Sequence, residues 1–591
     1  DMPFVGLMTI GMCFFMMAVF GRDRDKPADK LTYGLSLGWM SLLCVPQISL
    51  VLVGLSRWRG GSVTWMETFT GEAWRVLAFG GALLVASMAL LLVGIWKGRR
   101  GDEQGRATQK WFALGGLGTL WAPLLVVLVI ILIGGAPSLD NLAGWFKWGP
   151  TQAALYTSCF GAAIFACFYW PNVERRRVYL ITFYVFIGLA SLAKGLLGFM
   201  LPGAVLFFYI LITREWGMLK KVDLHIGIPV FVAVAFPWYA AMLVRHTEGF
   251  WNRFFVHDHF KRFSSGVHQL DTGSFEHFIR WLGYGMFPWT AFIPAALGSF
   301  FSGRGLKMED DRARASLMLL LWVVVAFTLF SLSSTKFHHY VFPVVPPMAM
   351  LIAIALDDAL DAELPNAWPL YLVGVGVLGV VAWDMIQDPK ALKDLFTYKY
   401  DRKWDEAWNS GFRWALFGLS ALSALGALLW LVRHRRIRRI GLGIMTAGGV
   451  GLLIFSLDVY MPAVSSTWSQ KGVWDAYYEQ CTNTDGPPGA HWTKRFCEEP
   501  IIAYKLNWRG ETFYSRNEVI PIRDDDDFDH FIDEIGEDPF YGIMEMSRYR
   551  GQFRRELPEH FKDRTCVTYD ENLKFKLIKI PCDEDDPDRV E

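Results

Sequence analysis

Two uninterrupted apolar runs constrain the fold of this sequence more than any other feature. Residues 76–96 (VLAFGGALLVASMALLLVGIW) and residues 113–135 contain no charged side chain. A bilayer core about 30 Å thick is crossed by about 20 helical residues, so each run is long enough to span a membrane. The chain is also 53% hydrophobic and 15% aromatic, with a mean hydropathy of +0.25. We therefore expect an integral, polytopic membrane protein.

Basic clusters between the apolar segments predict the topology. Placing all of them on the cytoplasmic side follows the positive-inside rule. This puts 245–277, 335–338, 385–411 and everything after 461 outside. The clusters lie at 97–106, 174–177, 214–221, 303–314 and 433–439. The sequence predicts about fourteen spans. They cover 4–20, 33–55, 76–96, 113–135, 153–171, 178–192, 196–212, 225–244, 278–301, 316–334, 339–357, 368–384, 412–432 and 438–460.

The composition also predicts two domains and the compartment of each. Residues 1–462 form the all-α membrane domain, and residues 463–591 are charged, lack a span and alternate short apolar pieces with candidate helices. This second pattern is typical of a small α/β domain, here on the outer side of a bacterial inner membrane. The net charge of zero gives no reason to expect a nucleic-acid partner. The acidic run 524–538 is expected to be a solvated helix face or turn, since it lacks the pattern of a calcium loop.

The four cysteines of the C-terminal domain predict disulfides. Cysteines of an exported domain pair in oxidising surroundings, and four of them allow three connectivities. Proximity in sequence favours one pairing, and a zinc site is the less favoured alternative because there is no CxxC pair. The favoured pairs are Cys481 with Cys497 and Cys566 with Cys582.

Polar residues at the outer ends of spans mark candidate sites, because ionisable groups near the membrane are costly and usually functional. Lys194-Gly195 interrupts the apolar stretch 178–212, which predicts two spans joined by a tight outer turn. Its ammonium group would suit an anionic lipid phosphate, and a lysine that merely extends to the interface is the equal alternative.

A second candidate site lies in SSTKFHHYVFPVVPPMAML (333–351), where Lys336, His339 and Tyr340 precede three prolines. Proline-broken backbone at membrane depth lines cavities in other membrane proteins. The density of hydrogen-bond donors favours a site over an interfacial aromatic belt.

The third candidate is FFVHDHFKRF (254–263). His257 and His259, with Asp258 between them, are able to ligate a divalent metal ion, and Arg262 offers a planar fork to a phosphate. On a helix, residues i and i+2 point to different sides, which disfavours one shared ion. Taken alone, this stretch reads as a solvated interfacial loop.

Five segments in this order resemble a known family. They are LAKGLLGFMLPG (192–203), FPWYAAML (236–243), FFVHDHFKRF (254–263), YGMFPW (284–289) and STKFHHYVFPVVPPMAML (334–351). The series resembles the family 39 integral membrane glycosyltransferases of the GT-C class, which include protein O-mannosyltransferases and bacterial aminoarabinose transferases acting on lipid A.

The resemblance implies a donor, a reaction and roles for the candidate residues. The donor would be a sugar on a polyprenyl phosphate, and the acceptor a lipid, glycan or protein. Lys194, Arg262, Lys336 and Tyr340 would bind the lipid phosphate, with His339 in support. His257, Asp258 and His259 would hold a divalent metal ion or orient Arg262. Asp1 would be a cavity residue of an N-terminally truncated chain whose catalytic base lies upstream.

Two points stay open at the level of sequence. Residues 56–135 match no part of the family pattern and are expected to be inserted spans. A polytopic transporter or lipid-sugar flippase would share the many spans and outer charges, although the sequence shows no inverted repeat. A mere membrane anchor for the C-terminal domain is a third reading, for which so many spans are excessive.

Overall fold

The structure is a computed structural model of the full chain, and it falls into two compact units, Asp1–Gly374 and Val375–Glu591. The expected spans at 33–55, 76–96, 113–135 and 153–171 lie outside the described residues, except for two single positions. The described residues are 2–28, 89, 93, 174–261, 276–302, 310–334, 336–361, 368–395, 404, 406–465, 469–484, 496–506, 510–572 and 574–582.

Helices dominate the described part of the first unit. Their bounds follow the predicted spans closely, because long apolar stretches satisfy their backbone polar groups within the helix itself. The α-helices are α1 (Met2–Phe20), α2 (Arg175–Lys194), α3 (Leu197–Thr213), α4 (Met218–Lys221), α5 (Leu224–Phe250), α6 (Glu276–Gly285), α7 (Ile293–Ser302), α8 (Asp311–Leu332), α9 (Val345–Asp361) and α10 (Trp368–Gln387), the last of which continues into the second unit.

Non-α segments occur where the sequence carried motifs. A π-helix covers Trp251–Lys261, and 3₁₀ segments cover Trp289–Phe292 and His338–Val344. The predicted span at 278–301 is therefore interrupted between α6 and α7. The start of the predicted outer loop 245–277 is helical as far as Lys261, where the sequence predicted irregular structure.

Helix α2 lies at the centre of the first unit. It packs against α1, α3 and α5, and it buries Leu180, Ile181 and Ile187. Just before α2, the backbone N–H of Arg175 donates to the carbonyl of Lys26 (2.9 Å), and that of Arg176 donates to Arg24 (2.8 Å). The described residues 24–26 and 175–176 therefore lie side by side.

The second unit begins with further apolar helices. They are the rest of α10, a 3₁₀ segment Pro389–Leu395, α11 (Ala407–Trp430), α12 (Arg435–Ile454), a π-helix Phe455–Tyr460 and α13 (Met461–Ser465). Helices α11 and α12 pack closely, with Gly426 and Gly441 facing each other at their contact. Across both units, seven helices in the described part of the chain are long and apolar enough to cross a membrane. The chain is a multi-pass membrane protein.

The predicted small α/β domain follows. Its elements are α14 (Lys471–Gln480), β1 (Asn483–Thr484), β2 (Phe496–Cys497), β3 (Ile501–Tyr504), α15 (Gly510–Tyr514), β4 (Ile520–Ile522), α16 (Asp525–Ile535), β5 (Phe540–Glu545), α17 (Met546–Arg548), a π-helix Tyr549–Phe553, α18 (Arg554–Glu556), α19 (Glu559–Lys562), β6 (Cys566–Tyr569) and β7 (Phe575–Ile580). A five-stranded mixed sheet has the order β4-β3-β5-β7-β6, in which β3 is parallel to β4 and β5, and β7 is antiparallel to β5 and β6.

Both faces of this sheet are covered, as the continuous apolar strand β3 requires. Ile502 and Tyr504 belong to one core, and Ile501 and Ala503 belong to the core on the opposite face. The acidic run forms helix α16, and the Asp524 side chain caps it by accepting the N–H of Asp527 (3.0 Å).

The disulfide pairing in the structure is the one that proximity in sequence favoured. Cys481 bonds Cys497, and Cys566 bonds Cys582, with Cα–Cα distances of 5.5 and 5.8 Å. The first bond ties the end of α14 to β2, and the second closes the loop that contains β6 and β7.

Candidate functional site

The turn between α2 and α3 is a tight, glycine-dependent structure. Helix α2 ends at Lys194, and Gly195 follows with φ 70° and ψ −145°, a backbone conformation that residues other than glycine rarely adopt. The N–H of Gly195 donates to the carbonyl of Ser191 (2.7 Å). The predicted break at this position is confirmed, and it places Lys194 at the last residue of a membrane helix.

His259 on the π-helix is attached to this turn. Its Nε2 accepts the backbone N–H of Leu196 (3.3 Å), and its Nδ1 lies 2.6 Å from the carbonyl oxygen of Phe254. The second contact needs a donor and the first an acceptor, and the tautomer with its proton on Nδ1 satisfies both. A Cβ atom on Gly195 would lie 2.6 Å from Nε2, so the ring and the turn leave room only for glycine.

The second motif supports the same turn from α5. The hydroxyl of Tyr239 donates to the carbonyl of Ser191 (2.6 Å), in the last turn of α2. The neighbouring Trp238 packs edge-on against Phe250 and Phe254. Trp238, Tyr239, Phe254 and His259 therefore form one aromatic cluster next to the Lys194 turn.

The turn motif of the second candidate site meets Lys194 directly. The Lys194 ammonium lies over the Tyr340 ring, 4.8 Å from its centroid, which is cation–π geometry. The Tyr340 ring also packs against Phe330, Phe337 and His339. Lys194 and Tyr340, 146 positions apart in the chain, thus present a cation and a phenol at one place, with the imidazole of His339 beside them.

Helix α6, whose last two residues begin the fourth motif, contacts the same 3₁₀ segment. The ring of His338 lies 4.4 Å from that of Trp281 and 5.3 Å from that of His277, both on α6 and outside the motif. Tyr284 of the motif packs against Trp281, with ring centroids 5.5 Å apart. The first, second, third and fifth motifs therefore meet at the Lys194 turn, and the fourth is linked to them through Trp281. Two residues of the site, Tyr239 and Trp281, were not singled out from the sequence. Tyr239 lies in one of the quoted motifs, whereas no sequence pattern marked Trp281.

The two histidines of His-Asp-His have different surroundings. The Nδ1 atom of His257 lies 3.1 Å from a carboxylate oxygen of Asp258, whose other oxygen is 3.9 Å from the Arg253 guanidinium. His259 uses both of its ring nitrogens elsewhere. Among the residues that the structure describes, no three His, Cys, Asp or Glu side chains are grouped to hold a metal ion.

Three other predicted residues remain to be placed. Asp1 and Arg262 lie outside the described residues. Lys336 is half-buried, two positions before the 3₁₀ segment.

No family model matches the chain. The solved structure of ArnT from Cupriavidus metallidurans bound to undecaprenyl phosphate superposes with a TM-score of 0.50 at 18% identity, covering 92% of this chain and 98% of that one. The chain has the fold of a GT-C transferase.

Curated relatives point the same way. An undecaprenyl phosphate-alpha-4-amino-4-deoxy-L-arabinose arabinosyl transferase of Pseudomonas fluorescens Pf0-1 is 28% identical over 279 residues, 47% of this chain and 44% of the relative. A second, from strain Pf-5, is 30% identical over 242 residues, 41% of this chain and 39% of the relative. The matches thus cover less than half the length of these relatives. The predicted resemblance to the aminoarabinose transferases is confirmed.

Proposed function

We propose that this chain transfers a sugar from a polyprenyl-phosphate donor to an acceptor hydroxyl or phosphate at the outer face of the inner membrane. The observation that carries the proposal is the Lys194 ammonium held over the Tyr340 ring, 4.8 Å from its centroid, where four of the five motifs meet. The names of the relatives suggest the donor, 4-amino-4-deoxy-L-arabinose on undecaprenyl phosphate. Lipid A is the acceptor that the resemblance implies.

The reaction explains why a fixed cation is needed. The bond between the anomeric carbon and the phosphate oxygen breaks, and the lipid phosphate leaves with additional negative charge. The acceptor oxygen bonds to the anomeric carbon and loses its proton to a carboxylate base. Positive charge and hydrogen-bond donors positioned in advance for the leaving phosphate lower the barrier. Lys194 supplies the charge and Tyr340 the hydroxyl, with Arg262 and Lys336 as further phosphate ligands.

The histidines have supporting roles in this proposal. His259 holds the backbone of the Lys194 turn through Leu196, so it positions the cation and does not itself ligate a metal. His339 packs against Tyr340 and restricts its ring. His257 and Asp258 remain the pair that orients Arg262 or binds a divalent ion, as the sequence suggested.

The location of the C-terminal domain is part of the proposal. Two disulfides in one small domain favour an oxidising compartment, which for a bacterial inner-membrane protein is the outer side. The positive-inside distribution of the basic clusters gives the same answer independently.

Radiolabelled undecaprenyl-phospho-sugar in proteoliposomes tests the function. A transferase moves the label to lipid A and releases undecaprenyl phosphate, whereas a flippase moves the intact labelled donor across the bilayer. Arg262→Ala and Lys194→Met should each abolish label transfer without loss of expression. Donor translocation without any labelled acceptor would replace the transferase by the transporter alternative.

A further inference from the structure

The described residues that line a cavity of about 190 Å³ in the first unit do not include Lys194, Gly195 or Tyr340. Helices α1, α2, α3, α5 and α8 surround it, and its wall consists of apolar and aromatic side chains. Among the described lining residues the one phenol group is the Tyr184 hydroxyl, which is occupied because it donates to the carbonyl of Val222 (2.9 Å). The described part of the wall offers a polar ligand no hydrogen bond, so the cavity suits a hydrocarbon chain.

The cavity is accessible from the lipid side of the bundle. Three of its lining residues on α3 and α5 are partly exposed: Phe199 by 40%, Leu224 by 38% and Ile228 by 50%. In a membrane-spanning bundle these exposed surfaces face acyl chains. A hydrocarbon chain from the bilayer is therefore able to enter between α3 and α5 without passing through water.

The end of the cavity at Val222 and Leu224 carries positive charge. Lys220 and Lys221 immediately precede Val222 and are both exposed, as is Trp216 on the preceding turn. The nearest acid, Asp223, is already engaged by Arg177 at 3.4 Å. Exposed lysines beside an interfacial tryptophan are typical of a surface that meets anionic head groups.

We propose that this cavity binds one anionic glycerophospholipid, with an acyl chain in the cavity and its phosphate at Lys220 and Lys221. A polyprenyl tail has the same hydrocarbon chemistry, but the proposed site for its phosphate is at Lys194. That residue is at the opposite end of α2 from the basic segment: α2 ends at Lys194, and its first turn carries Arg177, the partner of Asp223. The charge beside Val222 therefore favours the phospholipid, and its binding does not depend on the proposed transfer reaction.

Native mass spectrometry of the intact chain with added phosphatidylglycerol tests the proposal. Gly203 lines the cavity, and a Cβ atom there meets nothing within 4 Å, so Gly203→Leu fills the cavity. Gly376→Leu is the matched control, since its Cβ also meets nothing within 4 Å and it lies on α10. Excluding about two methylene groups should weaken phosphatidylglycerol binding about tenfold in Gly203→Leu and leave Gly376→Leu unchanged.

Two further experiments test the preference for an anionic head group and competition by undecaprenyl phosphate. Lys220→Glu with Lys221→Glu should remove the preference for phosphatidylglycerol over phosphatidylcholine. If Gly203→Leu fails to fold, Ile228→Trp at the exposed opening replaces it. Binding that is unaffected by either cavity variant, equal binding of both phospholipids to the wild type, or displacement of phosphatidylglycerol by undecaprenyl phosphate would each overturn the proposal.

Discussion

Replacing Gly195 by alanine should disrupt the candidate site. The residue has φ 70° and ψ −145°, and its Cβ would lie 2.6 and 2.8 Å from Nε2 and Cε1 of His259. The ring of Phe254 lies 2.8 Å away on the same side. Either the turn changes its backbone conformation or the His259 ring moves and loses its hydrogen bond to Leu196.

The size of the effect follows from these two costs. A side chain forced into a glycine conformation costs about 1–3 kcal/mol. A lost hydrogen bond costs about 0.5–1.5 kcal/mol. Together they destabilise the turn by about 1.5–4.5 kcal/mol. A displacement of Lys194 by about 1 Å should lower transfer by about 100-fold.

Transfer of radiolabelled donor, with thermal unfolding of the same preparations, measures both effects. Gly6→Ala is the matched control, because a Cβ atom on Gly6 meets nothing within 4 Å and the residue lies in helix α1. It should keep wild-type activity and stability. If Gly195→Ala were as active and as stable as Gly6→Ala, the proposed role of the Lys194 turn would be refuted.

Three further predictions concern other parts of the molecule. Tyr340→Phe keeps the ring beneath Lys194 but removes a hydroxyl from a charged phosphate, so transfer should fall about tenfold or more, and Tyr340→Leu should lose more than Tyr340→Phe. Each disulfide closes a loop with a sequence separation of 16, so reduction should destabilise the C-terminal domain by about 3 kcal/mol per bond. The melting temperature should therefore fall when dithiothreitol is added. An unchanged melting temperature would contradict the pairing. Lys26 and Arg175 are hydrogen-bonded neighbours, so a short Gly-Ser linker is long enough to replace 29–173. Size-exclusion chromatography of this deletion variant should show a folded monomer. Aggregation would show that the segment is needed.

The local part of the site was predictable from the sequence. A charged residue and a glycine inside a stretch too long for one span predict a break, and the turn after Lys194 is that break. Helix lengths and the alternation of basic loops were predictable for the same reason, since a bilayer imposes them on any chain. Sequence distance likewise suggested the disulfide pairing.

The long-range part was not predictable, because it depends on how helices pack. Nothing in the pattern of 254–263 indicated that His259 would bind the backbone of Leu196, or that its segment would be a π-helix. The sequence treated Lys194 and Tyr340 as two separate candidates, and only the packing of the 3₁₀ segment brings them within 4.8 Å. The resemblance to a family supplied the order of the motifs, whereas the structure supplies their contacts.

The most direct test of the central claim is the affinity of the purified chain for undecaprenyl phosphate with and without the Lys194 charge. Lys194→Met keeps the length of the side chain and removes the ammonium. Lys390→Met, an exposed lysine in the 3₁₀ segment Pro389–Leu395, is the control. Loss of a charged hydrogen bond should weaken binding about ten- to a hundredfold in Lys194→Met and leave Lys390→Met at the wild-type affinity. Equal affinities for all three proteins would contradict a phosphate site at Lys194 and Tyr340.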